Sequence, residues 1–225
     1  MSLAIVVPVY NEEKNIVKLL IDWDKAINKY YNKKYKFIII NDGSTDNTHK
    51  AIKSIKKKGK FIYIFQKNAG HGNACITGYK LAIKLKFKMI MQIDSDNQCD
   101  PTYFKDFLKL TKNNYVILGN RISREDGLER IIFSKILSLL IYLKTFIFIK
   151  DANVPYRLIR SNVLSSIINK IPKKVILKNC YLSYLLKKNY KIKWVNINFK
   201  KRYYGHTKYG FYNLIKQVLN LMYYI

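Results

Sequence analysis

Short apolar runs alternate with segments of helical periodicity over the first hundred residues. Residues 3–7 are continuously apolar and lead into Pro8, the pattern of a strand buried on both faces. Asn11 then predicts a helix cap, with Glu12 and Glu13 in the first turn and Ile16, Leu19, Leu20 and Trp23 at helical spacing. A second strand, residues 37–40, ends in the turn cluster Asn41-Asp42-Gly43-Ser44; Thr45 or Asp46 caps a helix containing Ala51, Ile52 and Ile55. A third strand (61–65), a third helix (72–85) and a fourth strand (89–93) follow, the last ending in Asp94-Ser95-Asp96. This alternation predicts an α/β fold, a mostly parallel sheet with helices on both faces. Ligands of such sheets bind outside the carboxyl ends of the strands. Those ends carry Val9-Tyr10-Asn11, Asn41-Asp42-Gly43, the Gln66, Asn68 and Gly70 segment, and Asp94-Ser95-Asp96.

Beyond Asp100-Pro101 the pattern loosens. Residues 103–111 predict a helix and 116–118 a strand followed by Gly119-Asn120-Arg121, while 131–149 is a long apolar stretch interrupted by Lys135 and Lys144. All 14 acidic residues lie at or before Asp151, and the last 74 residues hold 15 Lys and Arg. The expectation is one domain, 1–225, whose first hundred residues carry the acidic strand ends and whose remainder (101–225) is a basic, surface-binding half.

Composition narrows the partners. With 49% apolar residues in 225, the chain can bury a sizeable core, and its net charge of +28 calls for an anion: nucleic acid, an acidic membrane surface or a phosphorylated substrate. Of the 42 basic residues 36 are Lys, a bias that inflates charge on any solvated face. The six arginines, Arg121, Arg124, Arg130, Arg157, Arg160 and Arg202, run against that bias, and guanidinium suits bidentate phosphate contacts. Three cysteines without C-x-x-C spacing suggest neither a disulfide framework nor a zinc site. The first residues lack a secretory pattern, and no run reaches the roughly 20 apolar residues of a spanning helix.

A dinucleotide fold needs glycines after its first strand, but Pro8-Val9-Tyr10-Asn11-Glu12-Glu13 has none and its carboxylates would repel phosphate. No G-x-x-x-x-G-K-[ST] loop is present either. Instead, Asp94 and Asp96 can converge on one hard divalent cation at a strand end, leaving positions for diphosphate oxygens, and Gln98 can add a neutral oxygen. Asp42 has two readings: acceptor for a base or ribose, or an Asx-turn or capping residue.

These residues resemble the family 2 inverting glycosyltransferases, which have the Rossmann-like GT-A fold for nucleotide sugars. The resemblance rests on Val6-Val7-Pro8-Val9-Tyr10-Asn11-Glu12-Glu13, Ile40-Asn41-Asp42-Gly43-Ser44-Thr45-Asp46, Asn68-Ala69-Gly70-His71-Gly72-Asn73-Ala74 and Asp94-Ser95-Asp96. The later half is similar to the dolichyl-phosphate mannosyltransferase and polyprenyl-phosphate glycosyltransferase branch, through Asp96-Asn97-Gln98, Gly119-Asn120-Arg121, Arg130 with Ser134, Asp151 to Arg157, and Arg202-Tyr203-Tyr204-Gly205-His206-Thr207-Lys208. The resemblance implies that Pro8, Tyr10, Glu12 and Asp42 contact the nucleoside of a UDP- or GDP-sugar. It implies that Asp94, Asp96 and Gln98 hold Mg²⁺ or Mn²⁺ against the donor diphosphate, with Ser95 beside it, and that Arg202 and Lys208 close over those phosphates. Arg121, Arg130 and Ser134 would receive the acceptor's lipid phosphate. His71 and His206, Val154-Pro155-Tyr156 and Lys178-Asn179-Cys180 depart from the family pattern; the last stands where relatives that glycosylate hydroxyls carry an acidic pair.

A hydroxyl acceptor needs a general base, whereas a phosphate monoester with a second pKa near about 6 is already ionised at neutral pH. The acid-free last 74 residues cannot supply that base, which leaves Glu125, Asp126, Glu129 and Asp151 as candidates. A polyprenyl-phosphate acceptor is therefore expected, with direct displacement inverting the anomeric centre. Residues 131–149 would form an amphipathic helix in the membrane interface, placing the chain peripherally on the cytoplasmic face of an anionic membrane, alone or with a separate membrane subunit. The alternatives are transfer to a saccharide hydroxyl and, remotely, nucleic-acid binding, which leaves Asp42, Asp94 and Asp96 unexplained.

Overall fold

The computed structural model describes residues 2–55, 58–125, 127–201 and 211–225. Strands β1 (Leu3–Val9), β2 (Tyr35–Asp42), β3 (Phe61–Gln66) and β4 (Met89–Gln92) alternate with helices α1 (Ile16–Tyr30), α2 (Thr48–Lys53) and α3 (His71–Lys84). Then come α4 (Phe104–Leu110), β5 (Val116–Arg124), α5 (Leu128–Thr145), β6 (Arg157–Arg160), α6 (Ser161–Ile167), α7 (Lys178–Asn189), β7 (Ile192–Phe199) and α8 (Phe211–Tyr224).

All seven strands join one sheet in the order β3-β2-β1-β4-β6-β5-β7. The contacts of β1 with β2 and β4, of β2 with β3 and of β5 with β7 are parallel, while β6 is antiparallel to both its neighbours. The chain thus forms the expected mostly parallel sheet, and the basic half continues it. From β1 to β3 the chain moves one way across the sheet, then α3 carries it back to β4. Right-handed crossovers put α1 and α2 on one face and α3 on the other. The reversal lies between β1 and β4, the switch point where open α/β sheets hold ligands.

β1 is buried along its whole length, as its apolar run requires. The helix after it starts later than the sequence suggests. Asn11 takes a left-handed φ of 53°, and the Glu12 carbonyl accepts from the amides of Asn15 and Ile16, so α1 begins at Ile16 and both glutamates precede it. Two of the six arginines serve the backbone. Arg157 is fully buried and donates to the carbonyls of Val154 (2.6 Å), Asn179 (3.1 Å) and Ala152 (3.2 Å). Arg160 donates to the Thr111 carbonyl at 2.9 Å and lies over the Tyr115 ring. The arginine count therefore overstates the phosphate-binding set.

Helices α5 and α8 contact each other, and the Lys144 ammonium donates to the Met222 carbonyl. Each exposes an apolar stripe: Ile132, Ile136, Leu139 and Leu143 on α5, and Ile215, Leu219 and Tyr223 on α8. Among the described residues no helix is long and apolar enough to cross a membrane.

Gly78 brings α3 onto the sheet. A Cβ there would lie 2.4 Å from Val6 Cγ1 and 3.4 Å from Ile40 Cγ1. Alanine would gain about 1 kcal/mol of helix propensity, but overpacking against a β-branched strand residue costs about 1–3 kcal/mol. With the net cost at up to about 2 kcal/mol, Gly78→Ala should lower the melting temperature by up to roughly 8 °C, read by differential scanning calorimetry.

Candidate active site at the carboxyl ends of the strands

The turns after β1 and β2 are laced together by side chains. The Asn11 amide donates to Ser44 Oγ (3.0 Å), and Asn11 Oδ1 accepts from the Thr45 amide (2.8 Å). The Glu12 amide donates to Thr48 Oγ1 at 2.8 Å, and Glu13 Oε2 accepts from the Asn47 amide at 2.9 Å. Pro8 is buried at the end of β1, Tyr10 is 47% exposed, and buried Glu12 accepts from the Asn15 carboxamide at 2.6 Å.

Asp42 is buried and clamps the next loop. Oδ1 accepts from Gln66 Nε2 (2.6 Å) and the Ala69 amide (3.0 Å), and Oδ2 from the Gly70 amide (2.8 Å). The turn bond anticipated for this cluster comes from Asn41, whose Oδ1 accepts from the Ser44 amide at 2.9 Å. Asp42 thereby holds the segment that delivers His71 to the start of α3.

His71 Nε2 lies 2.9 Å from Asp94 Oδ1. Loss of surrounding water lowers the His71 pKa, but Cys75 and the Asp94 carboxylate outweigh it and hold the ring well above the ordinary histidine value. Burial raises the Asp94 pKa; His71, then Arg121, overcome that and leave it lowered. Arg121 is therefore close enough for Asp94 to feel its charge.

The Asp94-to-Gln98 loop is anchored on two sides. Asn97, at a left-handed φ of 63°, donates through Nδ2 to the Asn15 carbonyl at 3.2 Å, tying the loop to α1. The Gln98 amide donates to Asp96 Oδ1 (3.2 Å), and buried Gln98 donates from Nε2 to the Lys200 carbonyl (2.7 Å). Cys99 bridges to Phe199, and Lys200 pairs with Asp100 at 2.7 Å. Ser95 is buried between the two aspartates. Among the described residues no three His, Cys, Asp or Glu side chains form a ready-made metal cage. The oxygen donors of Asp94, Asp96 and Gln98 are of the kind a hard divalent ion takes, its shell completed by phosphate oxygens and water.

Phe199 joins this loop to the predicted phosphate side. The Arg121 guanidinium lies 5.1 Å from the Phe199 ring centroid and grips Asp151 through Nε (2.6 Å) and Nη2 (2.7 Å). Asp94, Asp96, Gln98 and Arg121 thus belong to one neighbourhood. Arg130 and Ser134 sit one turn apart on α5, both part-buried, with no described contact to Arg121. Arg202, His206 and Lys208 lie outside the described residues. The sequence reading missed the His71–Asp94 contact, the Asn15–Asn97 tie and the Asp151 grip. His71 left a trace as a departure from the family pattern, Asp151 as a candidate base and Asn97 within a motif, but the contacts themselves left none.

Comparison with known proteins agrees with this architecture. A sequence model described as "Glycosyl transferase family 2" matches residues 4–168. An uncharacterised protein of Methanocaldococcus jannaschii is 34% identical over 171 residues, covering 71% of this chain and 72% of its own. The undecaprenyl-phosphate 4-deoxy-4-formamido-L-arabinose transferase of Pectobacterium carotovorum is 25% identical over 229 residues, covering 99% of this chain, which spans 65% of that enzyme's length. Among solved structures, glucosyl-3-phosphoglycerate synthase from Mycobacterium tuberculosis with Mn²⁺, UDP and phosphoglyceric acid superposes with a TM-score of 0.68 at 14% identity, covering 99% of this chain and 78% of the synthase. S. aureus TarS with UDP-GlcNAc gives a TM-score of 0.64 at 18% identity, covering 99% of this chain and 67% of TarS. These neighbours share the GT-A fold. With the family model matched over residues 4–168, most of its length, the chain belongs to glycosyl transferase family 2.

Proposed function

We propose that this protein transfers a sugar from a nucleotide-sugar donor, a UDP- or GDP-sugar, to a polyprenyl phosphate at a membrane surface, with inversion at the anomeric carbon. The observation that carries this reading is the meeting of the Asp94-Asp96 loop with Arg121 across Phe199. Two negatively charged groups would face each other there, one belonging to the donor and one to the acceptor. Asp94, Asp96 and Gln98 would hold Mg²⁺ or Mn²⁺, which when bound neutralises the departing diphosphate. Pro8, Tyr10, Glu12 and Asp42 would frame the nucleoside. Arg121, Arg130 and Ser134 would orient the acceptor phosphate, and Arg202 and Lys208 would add positive charge on the donor side.

The second anion needs cations more than a base. Lys178, where hydroxyl-acceptor relatives carry acid, is buried and donates to the carbonyls of Pro172, Lys173 and Val175, so this position abstracts no proton. The relatives named for undecaprenyl phosphate favour the same acceptor class. The apolar stripe of α5, on the helix that carries Lys135 and Lys144, and that of α8, in the acid-free stretch, suit an interface where the lipid phosphate is presented.

UDP and GDP, each with Mn²⁺, should be compared by thermal shift. Saturation at about 100 times Kd stabilises by about 2.7 kcal/mol, so the matching nucleotide should raise the melting temperature by roughly 5–11 °C. In Asp96→Ala, the metal-dependent part of that shift should vanish while the ligand-free melting temperature holds. Incubating the protein and its membranes with radiolabelled sugar nucleotide should place label in the organic-solvent lipid extract; label confined to water-soluble glycan would reject the lipid acceptor. Ile136→Glu with Leu143→Glu should weaken sedimentation with anionic vesicles tenfold or more, since each buried leucine-sized side chain contributes about 1.5–3 kcal/mol.

A further inference from the structure

Asp151 follows α5 and closes on Arg121 from 30 residues away along the chain. The two groups meet edge to edge. Nε reaches Oδ2 at 2.6 Å, Nη2 reaches Oδ1 at 2.7 Å, and the Arg121 amide points at Oδ2 from 3.4 Å. Their side chains are 7% and 5% exposed, and Phe199 covers the guanidinium face.

A carboxylate so near the predicted acceptor invites assignment as the general base. The geometry argues otherwise, and we infer that Asp151 is a positioning residue, which sets the Arg121 fork for the acceptor phosphate and takes no proton from it. This assignment rests on the lipid-phosphate reading above. Both carboxylate oxygens are committed to charge-assisted bonds with a partner that does not give up its proton. Taking up a substrate proton would break those bonds and leave the guanidinium buried without its counter-charge. As an orienting group the same carboxylate is well placed. It fixes the Nε and Nη2 edge, and the Phe199 ring, its centroid 5.1 Å from the guanidinium carbon, restricts the group further. Arginine's rotamer freedom is thus lost before the acceptor arrives rather than on binding. Asp151 also offsets the charge of Arg121, so what it adds is direction rather than attraction.

The test is transfer to farnesyl phosphate in detergent micelles, from whichever UDP- or GDP-sugar binds in the thermal shifts. The full chain is compared with Asp151→Asn, Arg121→Gln and the double variant. Positioning predicts that Asp151→Asn raises the KM for farnesyl phosphate about tenfold, with kcat within about threefold and donor KM unchanged. Once Arg121 is Gln, the further change at Asp151 should add less than about twofold, because its effect runs through the arginine. A general base predicts the reverse: kcat falling about a hundredfold or more at unchanged KM, in the single variant and again on top of Arg121→Gln. That result overturns the assignment. Should Asp151→Asn fail to fold, the double variant against Arg121→Gln decides alone, since neither buried charge is left in it. A wild type that transfers to soluble glycan and never to farnesyl phosphate removes the lipid reading and this assignment together. Transfer to farnesyl phosphate by the wild type leaves the variants to judge Asp151 by itself.

Discussion

Asp94 and Asp96 stand one residue apart just beyond β4, two like charges on one short loop. Such a pair is stable as two anions only if positive charge is brought to it. His71 brings most of it at 2.9 Å, and Arg121 adds a smaller share. The parts around the pair are correspondingly rigid. Asn97 ties the loop to α1, Gln98 ties it to the Lys200 carbonyl, and Cys99 ties it to Phe199. Asp96 accepts from the Gln98 amide within the loop, and Asp94 is held from outside it by His71.

The same logic explains why this α/β fold has no glycine turn after β1. A Rossmann-type site binds phosphate with backbone amides at a helix start. Here the amides after β1 are already engaged: those of Asn11, Glu12 and Glu13 bond to Ser44, Thr48 and Asp46. The β1 turn thus becomes a strut bracing the β2 turn.

Much of this was legible in the sequence because it rests on local patterns. The continuous apolar runs identified β1 to β4, and the polar residues closing them marked the site's edge. The start of α1 was misread because Asn11 carries a cap residue's chemistry but takes a left-handed conformation to reach Ser44 and Thr45. β6 escaped notice since a four-residue strand flanked by arginines has too short an apolar run to register. β7, at the sheet edge opposite β3, mixes polar with apolar positions and left no clear signal. Asp94 and Asp96 stand out in the sequence by their spacing at a strand end. The grip of Asp151 on Arg121 does not, because a contact between residues 30 apart leaves no local periodicity. Nor could composition separate arginines that serve carbonyls, Arg157 and Arg160, from one that faces the acidic loop.

The most direct measurement is anomalous diffraction from crystals grown with MnCl₂ and UDP. A manganese peak should bridge the diphosphate and the Asp94–Asp96 carboxylates at direct-coordination distances of about 2–2.5 Å. Well-ordered UDP at the strand ends with no anomalous peak beside those carboxylates would contradict the proposed role of the acidic pair.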